Sequence, residues 1–394
     1  MQQLASRMEH KWLQDRVAPE SVVTIDCEST AFRAQLVPGG EWLVLLCRNG
    51  MLHLRQASSG TAAVRVAESS FAEVVAQVGV NDGMSMDISV ADSGEIFLSL
   101  TIFGFWDTMF STVFTLYRID TKNPGFHLVL PPARRVHEKY EGAPAVAGGL
   151  WAFSWWRGSR RLLAIGSVSG NPHERREIVL DVGAFKFQAT VTILPARNQV
   201  LLSSRAGLML FNIPILQALS DGKPKTIRAR PAWMHTFETL DEYRHPNVSQ
   251  LDSVGGTVTD PSERLVILGG YHLRVLHLNE TSRLPSECEV GSYSFQTHDP
   301  PRVHARNCLS SRHVFFCKDD MLQTCRVPDA DDIDHLHHMS AIPVSIDEAR
   351  VAGRLRVHDI SWVEESGRLC LLVGQHHDYE NSRRSALQIV IADF

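Results

Sequence analysis

The residues best suited to chemistry are histidines and acids set close together. Asp334-His335-Leu336-His337-His338 and, further on, His376-His377-Asp378 carry the donor types that a divalent metal takes. A zinc site needs three or four ligands converging on one point, and successive residues of a strand point to opposite sides. With 18 histidines in 394 residues such clusters arise by chance, so they are read as structural or incidental, and no metal or cofactor is expected. The run Gly166-Ser167-Val168-Ser169-Gly170 fails as a nucleophile elbow because Val168 stands where the nucleophile belongs. Gly222-Lys223 lacks the upstream glycine of a phosphate-binding loop and is followed by Pro224. The pairs Asp319-Asp320, Asp331-Asp332 and Glu364-Glu365 fall at turns or insertions, whereas a catalytic carboxylate needs burial or a like charge beside it. No catalytic residue is assigned. The enzyme alternative stays open, and it requires His and Asp from distant segments to meet at a central channel.

Positioning falls to strands. Short runs of Val, Leu, Ile and Phe bounded by Gly, Pro, Ser and Asp dominate the chain after residue 16. Four of them share one pattern of turn formers, then Glu or Arg, then an apolar run: PGGEWLVLL from Pro38, DSGEIFLSL from Asp92, DPSERLVILGG from Asp260 and EESGRLCLLVG from Glu364. Weaker copies begin at Arg157, Pro195 and Ser310, which makes seven. Gly40 to Gly367 spans 327 positions over six intervals, about 54 per copy, slightly longer than common propeller repeats. Third strands follow in most copies, as in MLHLRQ after Gly50 and LQIVIADF at the end. The expected fold is all-β: a closed β-propeller of seven four-stranded blades, which hides almost every strand edge. Residues 17–394 form one domain on this reading. The last copy ends on its third strand, so Val22-Val23-Thr24-Ile25 is expected to supply the missing outer strand. Leu4, Met8, Trp12 and Leu13 predict a short amphipathic helix within residues 1–16. Residues 134–145, 219–246 and 329–356 read as inserted loops with short helices.

The repeats sort side chains onto two ends of such a ring. First turns carry Glu41, Asp92, Glu95, Asp260, Glu263, Glu364 and Glu365, with Arg157, Arg160 and Arg197 as exceptions. Second loops carry Arg48, Trp106, His173, Arg175, Arg176, Arg205, Tyr271, His272, Lys318, His376, His377, Tyr379, Arg383 and Arg384, mixed with a few acids. Arg and aromatic side chains are the types enriched at protein interfaces. The second-loop end is therefore the candidate binding face, for a protein or peptide of acidic character. Phe103 to Phe110, FGFWDTMF, reads as an unusually aromatic loop at that end. Trp151, Trp155 and Trp156 are assigned to core.

Composition narrows the partners. Thirty-nine Lys and Arg against 44 Asp and Glu leave a net charge of −5, so neither nucleic acid nor an anionic membrane is expected. Seven cysteines, irregularly spaced and without a C-x-x-C pair, read as buried thiols in a reducing compartment, cytoplasmic or nuclear. No segment has the roughly 20 apolar residues needed to span a bilayer.

The run from Trp12 to Arg55, with Leu36-Val37-Pro38-Gly39-Gly40-Glu41-Trp42-Leu43 at its centre, resembles the segment after the F-box in fungal F-box proteins. The last stretch, Ile360 to Phe394, with Ser366-Gly367-Arg368-Leu369-Cys370, is similar to the end of those chains. The resemblance covers about a fifth of the sequence. It implies a propeller whose relatives recruit substrates to a cullin-type ubiquitin ligase. An F-box is a helical segment ahead of the first helix, and only eleven residues precede Trp12, so a ligase adaptor is not an expected partner. The dipeptide Trp106-Asp107 is expected in a loop, and strand ends lack the Trp-Asp signature of WD repeats.

Overall fold

The structure is a computed structural model. It describes residues 17–27, 31–57, 65–70, 83–91, 93–106, 109–136, 145–168, 176–183, 189–204, 207–218, 224–236, 247–251, 263–269, 272–278, 290–295, 308–309, 313–318, 321–326, 338–339, 342–344, 355–363, 366–375 and 387–394. The expected N-terminal helix lies outside these residues. Within them the chain is all-β apart from a 3-10 turn at Pro195–Arg197.

The described strands fall into seven sheets of four or five strands. In chain order, the first strands of successive sheets are Ala31–Leu36, Gly83–Val90, Ala145–Ala147, Ala189–Leu194, Asn247–Leu251, Cys308–Leu309 and Leu355–Val363. Each of these neighbours the next, and that of the seventh sheet neighbours that of the first. The central strands are mostly apolar because both of their faces are covered. In Trp42–Cys47, Val44 and Leu46 pack with Leu98, Leu100 and Ile102 of the second sheet. Their alternates Leu43 and Leu45 pack with Cys370, Leu372, Ile389 and Ile391 of the seventh. The two-residue period of a strand thus serves two neighbours at once. Trp151 and Trp155, with Phe153 between them, do the same work between the second and third sheets, beside Phe97 and Phe114; both tryptophans and the equally buried Trp156 lie in the core, as expected. Cys47 and Cys370 are buried free thiols, and Cys27 is half-buried. Burial pushes the Cys370 thiol far up, so it packs as an apolar group.

The recurring turn has a common stereochemical need. Gly40, Gly94, Asn198 and Gly367 all have positive φ, between 52° and 78°, at the fourth place of the first turn. In the first two sheets and the fourth, that residue's N–H donates to the carbonyl three positions earlier: Gly40 to Val37 at 2.9 Å, Gly94 to Ala91 at 2.8 Å, Asn198 to Pro195 at 3.0 Å. Glycine or asparagine suits such a left-handed position.

The N-terminal strand Ser21–Cys27 pairs antiparallel with the last strand Leu387–Asp393, with Val22 opposite Ala392 and Ile25 opposite Ile389. This is the pairing expected of residues 22–25. It also explains why the seventh sheet has its outer strand although the chain ends on a third strand.

Three expectations are corrected. The run beginning at Arg160 is the third strand of its sheet, after Ala145–Ala147 and Leu150–Arg157, and not the second. Its first turn is Gly148-Gly149, and Gly158 lies in the second turn. Tight glycine hairpins serve either position, so local sequence does not reveal the phase. The insertions carry strands and not helices among their described residues. Lys225–Arg228 adds a fifth, parallel strand to the third sheet before Trp233–Thr236 completes the fourth. His338–Met339 does the same for the fifth sheet before Ile342–Pro343 joins the sixth. Lys225–Arg228 is polar and exposed because it lies at the edge, and polar composition imitates a loop. Finally, Phe103–Trp106 and Met109–Phe110 are paired strand residues, so the aromatic run and Trp106 belong to a hairpin.

Candidate functional site

Neighbouring strands within each sheet are antiparallel, except for the added fifth strands. Connections between first and second strands therefore share one end with those between third and fourth, and the second-to-third connection lies at the other. The contact of the Val168 N–H with the Gly149 carbonyl at 2.8 Å shows this sharing in the third sheet. Arg48 sits at the second turn of the first sheet and is exposed. Trp106 ends the second strand of the second sheet, Lys318 ends that of the sixth, and His272 opens the third strand of the fifth. All four keep their expected end. Arg176 does not: it bridges Ala218 just before the fourth strand of its sheet, at the first-turn end, and is exposed. The assignment of Arg176 to a second loop is thus corrected, because it follows the third strand of its sheet. Arg157 and Arg160, the exceptions on the acidic end, move to the second-turn end. Arg160 holds Asp181 there at 2.6 Å. His173, Arg175, Arg205, Tyr271, His376, His377, Tyr379, Arg383 and Arg384 themselves lie outside the described residues.

A cluster that sequence reasoning missed stands at this same end. Two β-bulges face each other on adjacent first strands, one between Ala31 and Arg33, the other between Val357 and Asp359. A bulge re-aims the side chains around it. Here Arg33 meets Asp359 at 3.4 Å, and the other Asp359 oxygen accepts the Ala34 N–H at 3.0 Å. Arg33 also donates to the carbonyl of Met84 on the first strand of the second sheet, at 3.4 Å. The bulged Phe32 carries two guanidinium groups: Arg33 at 5.3 Å and Arg48 at 5.8 Å from its ring centroid. Such cation–π contacts help to hold an arginine in place.

Asp87 completes the wall on the second sheet. Burial raises its carboxyl to about 6, and hydrogen bonds from Gln35 and the Ile88 backbone oppose that rise. A carboxyl raised in the folded state binds its proton more tightly there than when unfolded, so stability falls as pH rises from about 4 to 6. The change from 3.8 to about 6 sets an upper bound of roughly 3 kcal/mol. Asp87→Asn is therefore expected to raise the melting temperature by a few degrees at pH 7.5 and hardly at all at pH 4. Equal effects in thermal melts at the two pH values count against this account. The signal for this cluster was present in the sequence: Arg33 and Asp87 stand seven positions before Gly40 and Gly94, and Asp359 eight before Gly367. Among the described residues no group of three His, Cys, Asp or Glu side chains could hold a metal.

No family model matches the sequence, and no curated protein matches it. Solved structures do. The β-propeller domain of Cps50 (Swd1) from Myceliophteria thermophila aligns with a TM-score of 0.52 at 8% identity, over 94% of this chain and 98% of that one. The fold is that of WD40-type β-propellers. The C-terminal WD40 domain of Sif2 aligns at 0.50 and 9% identity, over 95% of this chain and 98% of that domain. Raptor from Chaetomium thermophilum aligns at 0.50 and 10% identity, over 100% of this chain and 30% of its own length. At these identities the likeness concerns the fold alone. What the propeller binds has to be argued from its own residues.

Proposed function

We propose that residues 17–394 form a single closed propeller of seven blades that acts as a non-catalytic protein-interaction module of the fungal F-box-associated kind. It binds an acidic protein or peptide segment at the second-turn end. Closure is supported by the cyclic order of first strands and by the pairing of the two chain ends. The F-box resemblance rests on two motifs that meet in space: the Arg368 guanidinium donates to the Gly40 carbonyl at 2.8 Å. Their shared occurrence speaks for a common way of closing the ring. The observation that carries the binding reading is the pair of guanidinium groups on Phe32, one of them exposed, at the end of the strands that also carries Arg157, Arg160 and Lys318 on other sheets. Free thiols at Cys27, Cys47 and Cys370 support a reducing, intracellular setting.

The corrected strand phase supplies an internal control for the test. Tagged chain purified from its host is expected to bring down a defined partner. Arg48→Glu should reduce that partner at least tenfold, while Arg176→Glu, a charge reversal at the opposite end, leaves it unchanged. Recovery that is equal in both variants, or lost only with Arg176→Glu, defeats the assignment of the face. A ligase adaptor among the partners would mean that coupling to ubiquitin transfer is retained.

A further inference from the structure

The net charge of −5, which speaks against an anionic membrane for the chain as a whole, conceals an uneven distribution. Residues 182–237 hold seven Lys and Arg against a single acid, Asp221. Their described part is the fourth sheet with the crossings that tie it to the third. Residues 213–218 pass from the fourth sheet to the third, where the Gln217 carbonyl accepts the Glu177 N–H at 3.0 Å. Residues 224–236 pass back, and supply the outermost strands of both sheets, Lys225–Arg228 and Trp233–Thr236.

Three cations of the second crossing, Lys225, Arg228 and Arg230, are exposed, and among the described residues none of them forms an ion pair. The acids of the neighbouring strand do not neutralise them. Glu177 is half-buried, and Asp181 is already held by Arg160 at 2.6 Å. Lys225 and Arg228 stand three positions apart and so leave their strand on opposite faces, Lys225 opposite Ile178 and Arg228 opposite Asp181. Cations splayed in this way suit a dispersed field of anions, whereas a single carboxylate or phosphate is held best by converging donors.

The same crossings carry the two most exposed large apolar side chains of the described residues, Ile215 at 87% and Met234 at 61%. Both flank one seam. Leu216, Ile227 and Ala229 pack against the core between the third and fourth sheets, and Met234 stands opposite Met209 of that core. Cations on an outermost strand can guard it against stray pairing. An exposed isoleucine and methionine beside them work against that role, and call for an apolar medium. Single-stranded nucleic acid lacks its stacking platform here, because Trp233 and His235 are half-buried and stacked on each other at 5.9 Å.

We infer that the outer side of this seam docks on an anionic lipid bilayer, with Ile215 and Met234 entering the headgroup layer and Lys225, Arg228 and Arg230 drawn to the lipid charges. This surface is separate from Phe32 and Arg48 of the first sheet, and its test is independent of theirs.

The probes are vesicles of phosphatidylcholine alone and of phosphatidylcholine with phosphatidylserine in equal parts, used in co-sedimentation at low salt. The chain is expected to bind the anionic vesicles at least tenfold more tightly than the neutral ones. Arg228→Glu combined with Arg230→Glu should remove at least tenfold of that affinity. Ile215→Ser combined with Met234→Ser should weaken vesicle binding about fivefold and leave any binding of soluble polyglutamate unchanged. All four are exposed side chains, so both double variants should melt with the parent. Absence of binding, or equal binding to the two kinds of vesicle, overturns the inference without any variant. It is overturned equally if Ile215→Ser with Met234→Ser binds vesicles like the parent while polyglutamate or a thymidine oligonucleotide competes the chain off them, since the patch then reads a soluble polyanion. Either failure leaves the co-purification test of the first sheet untouched.

Discussion

Gly207→Ala is expected to destabilise the propeller by about 3 kcal/mol and to release the outer strand of the fourth sheet. Gly207 opens the third strand of that sheet with φ at +149°, a conformation open in practice to glycine alone. Alanine there would also set its Cβ on the carbonyl oxygen of His235, a backbone atom with no side-chain freedom to yield. The fourth strand, Trp233–Thr236, pairs with Gly207–Leu210, so relief of the overlap must come from that pairing. Loosening it frees the chain that leads back to Lys225–Arg228, the strand that seals the third sheet. For a chain of this length a loss of about 3 kcal/mol corresponds to a fall of roughly 4 °C in Tm. Hydrogen exchange should speed up over residues 207–212 and 225–236 and stay unchanged over 42–56. A melt within one degree of the parent, with unchanged exchange, would show that the fourth strand does not hold Gly207 as closely as the geometry requires.

The same passage shows where sequence and structure part. Apolar runs such as Trp42–Cys47 and Gln199–Ser204 are legible because both faces are buried and no polar alternation dilutes them. Left-handed turn positions are legible because glycine or asparagine is needed there. Outer strands such as Lys225–Arg228 are not, since a strand at the edge keeps its exposed residues polar and looks like a loop. The third copy illustrates a different limit. Its turn at Gly158 satisfies the same stereochemistry as a first turn, and only a count of strands, including the three-residue Ala145–Ala147, fixes its phase. That single slip moved Arg176 to the wrong end of its sheet and Arg157 and Arg160 to the other. The Phe32, Arg33 and Asp359 cluster was hidden for a third reason. Bulges break the two-residue alternation, so residues that alternation would aim elsewhere are turned toward one another.

Arg368→Met and Gly40→Ala are expected to open the seam between the seventh and first sheets. Arg368 holds Asp393 at 2.6 Å and donates to the carbonyls of Gly40 at 2.8 Å and Ala57 at 3.4 Å. Asp393 in turn accepts from the Ser21 hydroxyl at 2.7 Å, and its backbone carbonyl accepts the Glu20 N–H at 2.7 Å. One guanidinium therefore joins the second strand of the last sheet, both chain ends and the first turn of the first sheet. Its side chain is 21% exposed, so solvent screens part of the interaction, and loss of the group should cost about 2 kcal/mol, below the range for a fully buried pair. Gly40→Ala tests the same seam from the other side. Gly40 and Gly94 have nearly equal φ, +76° and +78°, but a Cβ at Gly94 meets open space whereas one at Gly40 overlaps the Ser366 side chain. The backbone strain common to both is about 1–2 kcal/mol. Gly40→Ala should cost about 1 kcal/mol more than Gly94→Ala, because Ser366 must move against its bond to the Val363 carbonyl. In Arg368→Met and Gly40→Ala, exchange over residues 21–27 and 387–393 should rise before global unfolding, and in Gly94→Ala it should not. Equal destabilisation by the two glycine variants, with no selective exchange at the chain ends, would show that the seam between these two sheets does not limit the stability of the fold.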